Sequence, residues 1–226
     1  MIAYQKEKIE NAICYFAIAH KKATRKYLHQ TFLYKYLAFL EFKSIEDNGR
    51  PVFGLIYRAM KNGPVPIEIY GQRHNYKTDL FYFKSMGEDQ YIIVPKVKEA
   101  NLDYFSQYEI NDMKRLIEIY ADRFVFSKHI SEASHKDIKA WKRSYQSKPN
   151  NIINYDLCFD ADIMSKTEED LTYVEDQYLA YKAFDTLEKG KSLKLVRYSN
   201  GIIIPTPNSV RKLKPDGLSI WVIQEK

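Results

Sequence analysis

Residues 48–66, NGRPVFGLIYRAMKNGPVP, constrain the fold more than any other stretch of this 226-residue chain. Two turn signals bracket a short β-like run. Asn48-Gly49-Arg50-Pro51 closes a long apolar-periodic segment, and Asn62-Gly63-Pro64-Val65-Pro66 opens the next element. Between them Leu55, Ile56, Tyr57 and Ala59 read as a strand, with Gly54 where a side chain would be crowded out. Glycine admits positive φ, whereas proline fixes φ and removes a donor, so these residue types dictate the backbone path. Read physically, the stretch is a junction between two helices that supplies neither a nucleophile nor a metal cage.

Upstream, residues 4–22 carry Ile9, Ala12, Ile13, Phe16 and Ala17 at one-face spacing, which predicts an amphipathic helix. Thr24 is placed to cap the next element. Over residues 26–47, Leu28, Phe32, Leu33, Tyr36, Leu37, Phe39 and Leu40 form an apolar stripe too broad for a surface helix. That predicts a helix at the domain centre, stopped by Asn48-Gly49. Downstream, Pro66 opens a short helix. Residues 80–86 and 90–94 flank Gly87-Glu88-Asp89 as a β-hairpin, and Ser106-x-x-Glu109 is a capping box for a helix over 107–122. A short helix near 128–133 precedes Ser134, which reads as the cap of another helix through His135 to Trp141. Residues 142–151 read as a polar, basic connector.

The last third differs in character. Thr167 opens a third long helical pattern with Glu168, Glu169 and Asp170 on its first turn, and Gly190 ends it. Ser199-Asn200-Gly201 joins residues 193–198 to 202–204 as a type I′ hairpin, and residues 218–223 offer a third strand. The fold class is therefore α+β, mainly helical. A compact helical domain with a small β-hairpin spans 1–158, and a C-terminal helix and β-hairpin extension packed on it spans 159–226.

Charge and cysteine content narrow the function classes. The formal charge of +6 comes from 35 basic and 29 acidic side chains, unevenly placed. Residues 1–45 hold eight basic and three acidic groups, whereas 156–176 hold eight acidic and one basic. Such asymmetry steers a nucleic acid or a complementary protein, although solvated helix faces produce it too. Two cysteines, Cys14 and Cys158, are too few for a disulfide framework and read as buried thiols in a reducing cytoplasm. No secretory pattern leads the chain, and no apolar run predicts membrane insertion.

Enzyme signatures are sparse. His135 and Asp137, with Trp141 a turn later, form the one cluster that suggests acid–base work, and His135 at a helix start more often makes a local hydrogen bond. The other histidines show no metal-ligand spacing, and phosphate-loop, dinucleotide and nucleophile-elbow motifs are missing. The expectation is a non-enzymatic protein with no cofactor and no metal. Basic residues interleave with aromatics at Lys21–Tyr27 and again around Trp141 and Tyr145, which keeps a nucleic-acid-binding regulator of its own operon as the alternative.

A family pattern runs through the same residues. Lys35-Tyr36-Leu37-Ala38-Phe39, then Gly49-Arg50-Pro51, Gly54, Tyr57, Ala59 and Gly63-Pro64-Val65-Pro66, followed by Tyr104-Phe105-Ser106-x-x-Glu109, Ser134-His135 and Trp141, resemble the Panacea domain of SocA-like antitoxins over residues 10–158. The resemblance implies an antitoxin of a bacterial or prophage toxin–antitoxin system that neutralises a cognate protein toxin by direct binding. It also implies, in one branch, an adaptor that delivers the toxin to an AAA+ protease. The motif residues are mainly of scaffold type. Contact with the toxin is therefore expected from Lys21, Lys22, Arg25 and Lys26 and from tyrosines such as Tyr70 and Tyr76.

Overall fold

A helix whose residues 32–38 are all buried organises the first of two units. The computed structural model describes residues 2–160, 162–167 and 169–188, and the strand backbone at 196–198, 201–206 and 209–213. It separates into two compact units, one of Ile2–Ser44 with Pro51–Cys158 and one of Ile45–Arg50 with the described residues from Phe159 onward. The architecture is α+β and mainly helical, with seven α-helices and three small antiparallel sheets among the described residues.

In the first unit α1 (Gln5–Thr24) buries the predicted face, Ile9, Ala12, Ile13, Phe16 and Ala17. Strand β1 (Leu28–His29) interrupts the expected start of the next helix, so α2 runs over Gln30–Asn48, with its last turn in the second unit. Leu28 is extended because it pairs with Ile93, and that pairing was invisible to a helical period. Residues 32–38 of α2 are buried without a break, as a helix apolar all round requires. Phe16 stacks on Tyr36 at 4.8 Å and Phe39 on Tyr120 at 5.4 Å.

Strands β2 (Tyr57–Met60) and β3 (Gly63–Pro66) form a hairpin, which corrects two expectations. Leu55 and Ile56 precede the strand, and GPVP is itself a strand instead of a turn. Two prolines fit there because Pro64 and Pro66 oppose Ala59 and Tyr57, whose backbone groups bond outward to residues 150–153. At such non-hydrogen-bonded positions no N–H is missed. Then come α3 (Ile67–Gln72), which follows Pro66 directly, and the hairpin β4 (Phe81–Gly87) with β5 (Gln90–Pro95), which lies between β1 and β4. Helix α4 (Gln107–Tyr120) starts on the Ser106–Glu109 capping box as expected.

Helix α5 (Ser127–Asp137) passes through Ser134, and α6 (Lys139–Ser147) occupies most of the expected connector. Ser134 is no cap: it is fully buried, and its hydroxyl donates to Ser131 O at 2.7 Å. His135 therefore lies in the last turn of α5 and not at a helix start. A 3₁₀ turn, Tyr155–Cys158, closes the unit, and the Cys14 and Cys158 thiols are both buried.

The chain just before β2 is tied to α2 through a carboxylate on that helix. Fully buried Glu41 accepts Phe53 N–H at 2.7 Å, Leu55 N–H at 2.9 Å and the Tyr155 hydroxyl at 2.8 Å. Burial still pushes its carboxyl up to about 7, against the lowering effect of those bonds. In Glu41→Gln the amide nitrogen faces the Phe53 N–H, donor against donor. We expect a loss of about 1–2 kcal/mol in urea denaturation, and an unchanged midpoint would count against this role.

In the second unit Gly49 ends α2 at φ +67, where a Cβ would lie 2.4 Å from Val174 O. Arg50 Nη2 donates to Gln177 Oε1 at 2.8 Å. Helix α7 (Tyr173–Glu188) begins six residues later than Thr167, because Thr172 and Glu175 form the capping pair, with Glu175 N donating to Thr172 Oγ1 and Thr172 N to Glu175 Oε2. Strands β6 (Val196–Tyr198), β7 (Gly201–Thr206) and β8 (Ser209–Leu213) make an antiparallel sheet, and β8 supplies a third strand that the sequence did not suggest. Tyr198 pairs with Gly201, so Gly201 opens β7 instead of lying in the expected turn. Glu168, Gly190, Ser199, Asn200 and residues 218–223 lie outside the described residues.

Candidate functional site

Two groups of residues compete for a functional role: the buried motif cluster and the basic, aromatic end of α1. The motif cluster is built around Lys35. Its position in the buried run 32–38 of α2 leaves the side chain no solvent-facing side, and the residue is 1% exposed. The amine donates to Pro64 O at 3.0 Å, and burial pulls it down to about 7. Gly63 lets the amine in: at φ +100, a Cβ there would sit 2.8 Å from Lys35 Cε and 2.4 Å from Ser134 Oγ.

Beside it, the His135 ring stacks on Trp141 at 4.0 Å, and Trp141 stacks on Tyr145 at 5.0 Å. The Trp141 indole donates to Met60 O at 3.0 Å, which ties α6 to the β2–β3 hairpin. Burial, then the Lys35 charge, holds His135 below its usual range. Its Nε2 finds no hydrogen-bond partner among the described residues, so the expected local bond is not formed. Asp137 does not orient His135: residues two apart on a helix diverge, and the Asp137 charge is felt by Tyr120. Among the described residues no group of three His, Cys, Asp or Glu could hold a metal ion, and no helix is long and apolar enough to cross a membrane.

This constellation unites most of the sequence motif. Lys35 touches the Gly63-Pro64 strand, Ser134 faces Gly63, and Trp141 reaches Met60. Tyr57 and Tyr36 are fully buried, Tyr36 within 3.1 Å of His20 Nδ1. Residues 33–142 match the family model of the antitoxin SocA-like Panacea domain. This stretch is similar to the Panacea domain of SocA-like antitoxins. No curated protein and no solved structure matches the chain. The Panacea motif thus maps onto packing: Gly63, Pro64 and Pro66 shape the hairpin, Gly49 ends α2, and its Tyr, His and Trp are partly or wholly internal.

The expected contact residues divide differently. Lys22, Arg25 and Lys26 are exposed at the end of α1, and Lys21 lies over the Tyr27 ring at 4.1 Å. Arg25 takes up φ +63 as its N–H bonds to Lys21 O, which turns the chain and fans these cations outward. Tyr70 is half-buried under the Arg73 guanidinium at 3.7 Å and donates to Asp89 at 2.9 Å, an exposed bond on the surface of the fold. Tyr76 packs on Phe81 at 5.4 Å and lines a 660 Å³ cleft beside Lys6, Glu7 and Glu10. That end of α1 lies roughly 20 Å from Lys21–Lys26 along a rise of about 1.5 Å per residue, so the structure does not bring Tyr76 to the basic end.

Sequence reasoning missed what lies beside that end. Phe124 and Phe126, in the turn between α4 and α5, are 68% and 61% exposed. They are apolar residues outside any periodic pattern, and no local signal separates such a pair from core.

Proposed function

We propose that this Panacea-domain chain is a non-enzymatic antitoxin that neutralises a cognate protein toxin by direct binding in the bacterial cytoplasm. The carrying observation is the family match over residues 33–142, joined to an exposed surface that mixes cations with aromatics at the end of α1. Aromatic and arginine anchors with a polar rim are the composition of protein interfaces. Delivery of the toxin to an AAA+ protease is a further expression of the same binding, visible as a shortened toxin half-life.

Genome context supplies the test: a toxic reading frame adjacent to this one, lethal alone, is tolerated when this chain is co-expressed. Charge reversal at Lys21, Lys22, Arg25 and Lys26 together is expected to abolish rescue while the circular-dichroism melt stays unchanged, since these side chains are outside the core. Full rescue by that variant would remove this surface from the interface. Salt-sensitive binding to a promoter fragment without toxin binding would favour the operon regulator.

A further inference from the structure

A small pocket opens where the end of α1 and β1 meet the turn between α4 and α5. Its volume is 170 Å³, below the roughly 300–1,000 Å³ of small-molecule sites, so it has room for one bulky side chain. The interior members are apolar or neutral. His20 and Phe32 are buried, their rings 5.1 Å apart, and Val125 is half-buried. Burial pushes His20 down to about 4, so the interior carries no charge at neutral pH.

The exposed members are of the opposite character. Lys26, Arg123 and Phe126 line the mouth, and Lys21 adds a cation over Tyr27. Asp122 is the acid among the lining residues, and its Oδ1 is taken up by the Phe124 N–H at 2.7 Å. Helix α5 starts at this mouth with no side-chain oxygen cap and no acid in its first turn, which adds positive potential in the same direction. The 660 Å³ cleft is a weaker candidate because its lysines alternate with Glu7, Glu10 and Asp79, so neither sign of ligand is selected.

We propose that this pocket docks an acidic segment of the partner protein, which inserts one aromatic or branched aliphatic side chain. The proposal rests on the neutralisation reading for the identity of that partner. An apolar anchor in a small desolvated pocket ringed by complementary charge is the arrangement of an interface hot spot. A single-stranded nucleic acid instead needs a basic track with several stacking platforms along it.

The test uses the full-length chain and the protein encoded by the adjacent toxic reading frame, with Kd measured by calorimetry for wild type, F126A, K26E/R123E and M86A. Met86, 59% exposed on the β4–β5 hairpin, is the control. F126A and K26E/R123E are each expected to raise Kd about tenfold or more, with M86A unchanged and all melts superimposable. Unchanged Kd in both pocket variants, with tight binding by wild type, overturns the pocket and leaves neutralisation standing. A defined probe tests the pocket alone: the peptide Glu-Glu-Phe-Glu-Glu should bind wild type, lose binding in F126A, and bind better than Lys-Lys-Phe-Lys-Lys. Peptide binding without toxin binding keeps the pocket and overturns neutralisation. Failure of the acidic peptide to bind, or tighter binding of an eight-nucleotide uridine oligomer at the same residues, overturns the proposal.

Discussion

Gly63→Val is expected to unfold the first unit. The position has φ +100, and any Cβ there meets Ser134 Oγ at 2.4 Å and Lys35 Cε at 2.8 Å. Backbone strain in that region costs about 1–3 kcal/mol, and overpacking a buried site adds a similar amount. The sum is a large share of the roughly 5–15 kcal/mol that holds a domain together. The far end of Lys35 can shift, but Ser134 is fixed on α5 with its hydroxyl bonded to Ser131 O. Gly63→Ala, with a smaller side chain and the same φ, should fall between. Thermal melts followed by circular dichroism decide the matter, and a Gly63→Val protein that melts like wild type would show that β3 is built otherwise.

Lys35, in contact with that glycine, should respond in the opposite sense. Its amine is held at about 7 in the folded chain, against 10.5 for the free group, because burial disfavours the cation. Between those values the unfolded chain carries the extra proton, so wild-type stability rises as pH climbs from about 7 to 10.5 and is flat below. Lys35→Met removes the buried cation and leaves Pro64 O without its donor. The net expectation is a gain of about 3 kcal/mol at pH 7 or below, shrinking steadily toward pH 10.5. Chemical denaturation at pH 6, 8 and 10 measures it. A variant destabilised at pH 6 would mean that the hydrogen bond to Pro64 outweighs desolvation.

The expected results make Gly63 a requirement of the fold and Lys35 a residue that opposes it. A stabilised Lys35→Met that fails to protect cells would place the amine in the neutralising function, and one that protects fully would make it a tolerated burden.

Much of the architecture was legible because it rests on local chemistry. The Ser106–Glu109 capping box needs only residues three apart, and the breadth of the stripe from Phe32 to Leu40 identified a buried helix before any partner was known. Misreadings arose where long-range pairing overrode local preference. Leu28 is drawn into a strand by Ile93, and Pro64 sits in a strand because its partner Ala59 turns its backbone groups to residues 150 and 151. Ser134 has the residue type of a cap, yet it lies inside α5, where burial against Gly63 decides its place. Lys35 and Glu41 carried a readable signal, charges inside the apolar run from Phe32 to Phe42, that points to burial without naming the partners.

The sequence by itself determined a mainly helical α+β chain, the Panacea motif and the turn-rich segment at residues 48–66, because period, caps and glycine–proline chemistry act over a few residues. Only the tertiary structure decided that GPVP is a strand, that Glu41 binds the loop before β2, and that His135 stacks on Trp141 instead of pairing with Asp137. Only it placed a charged rim around a small apolar pocket, since that surface joins residues about a hundred positions apart and exists only when the helices are folded together.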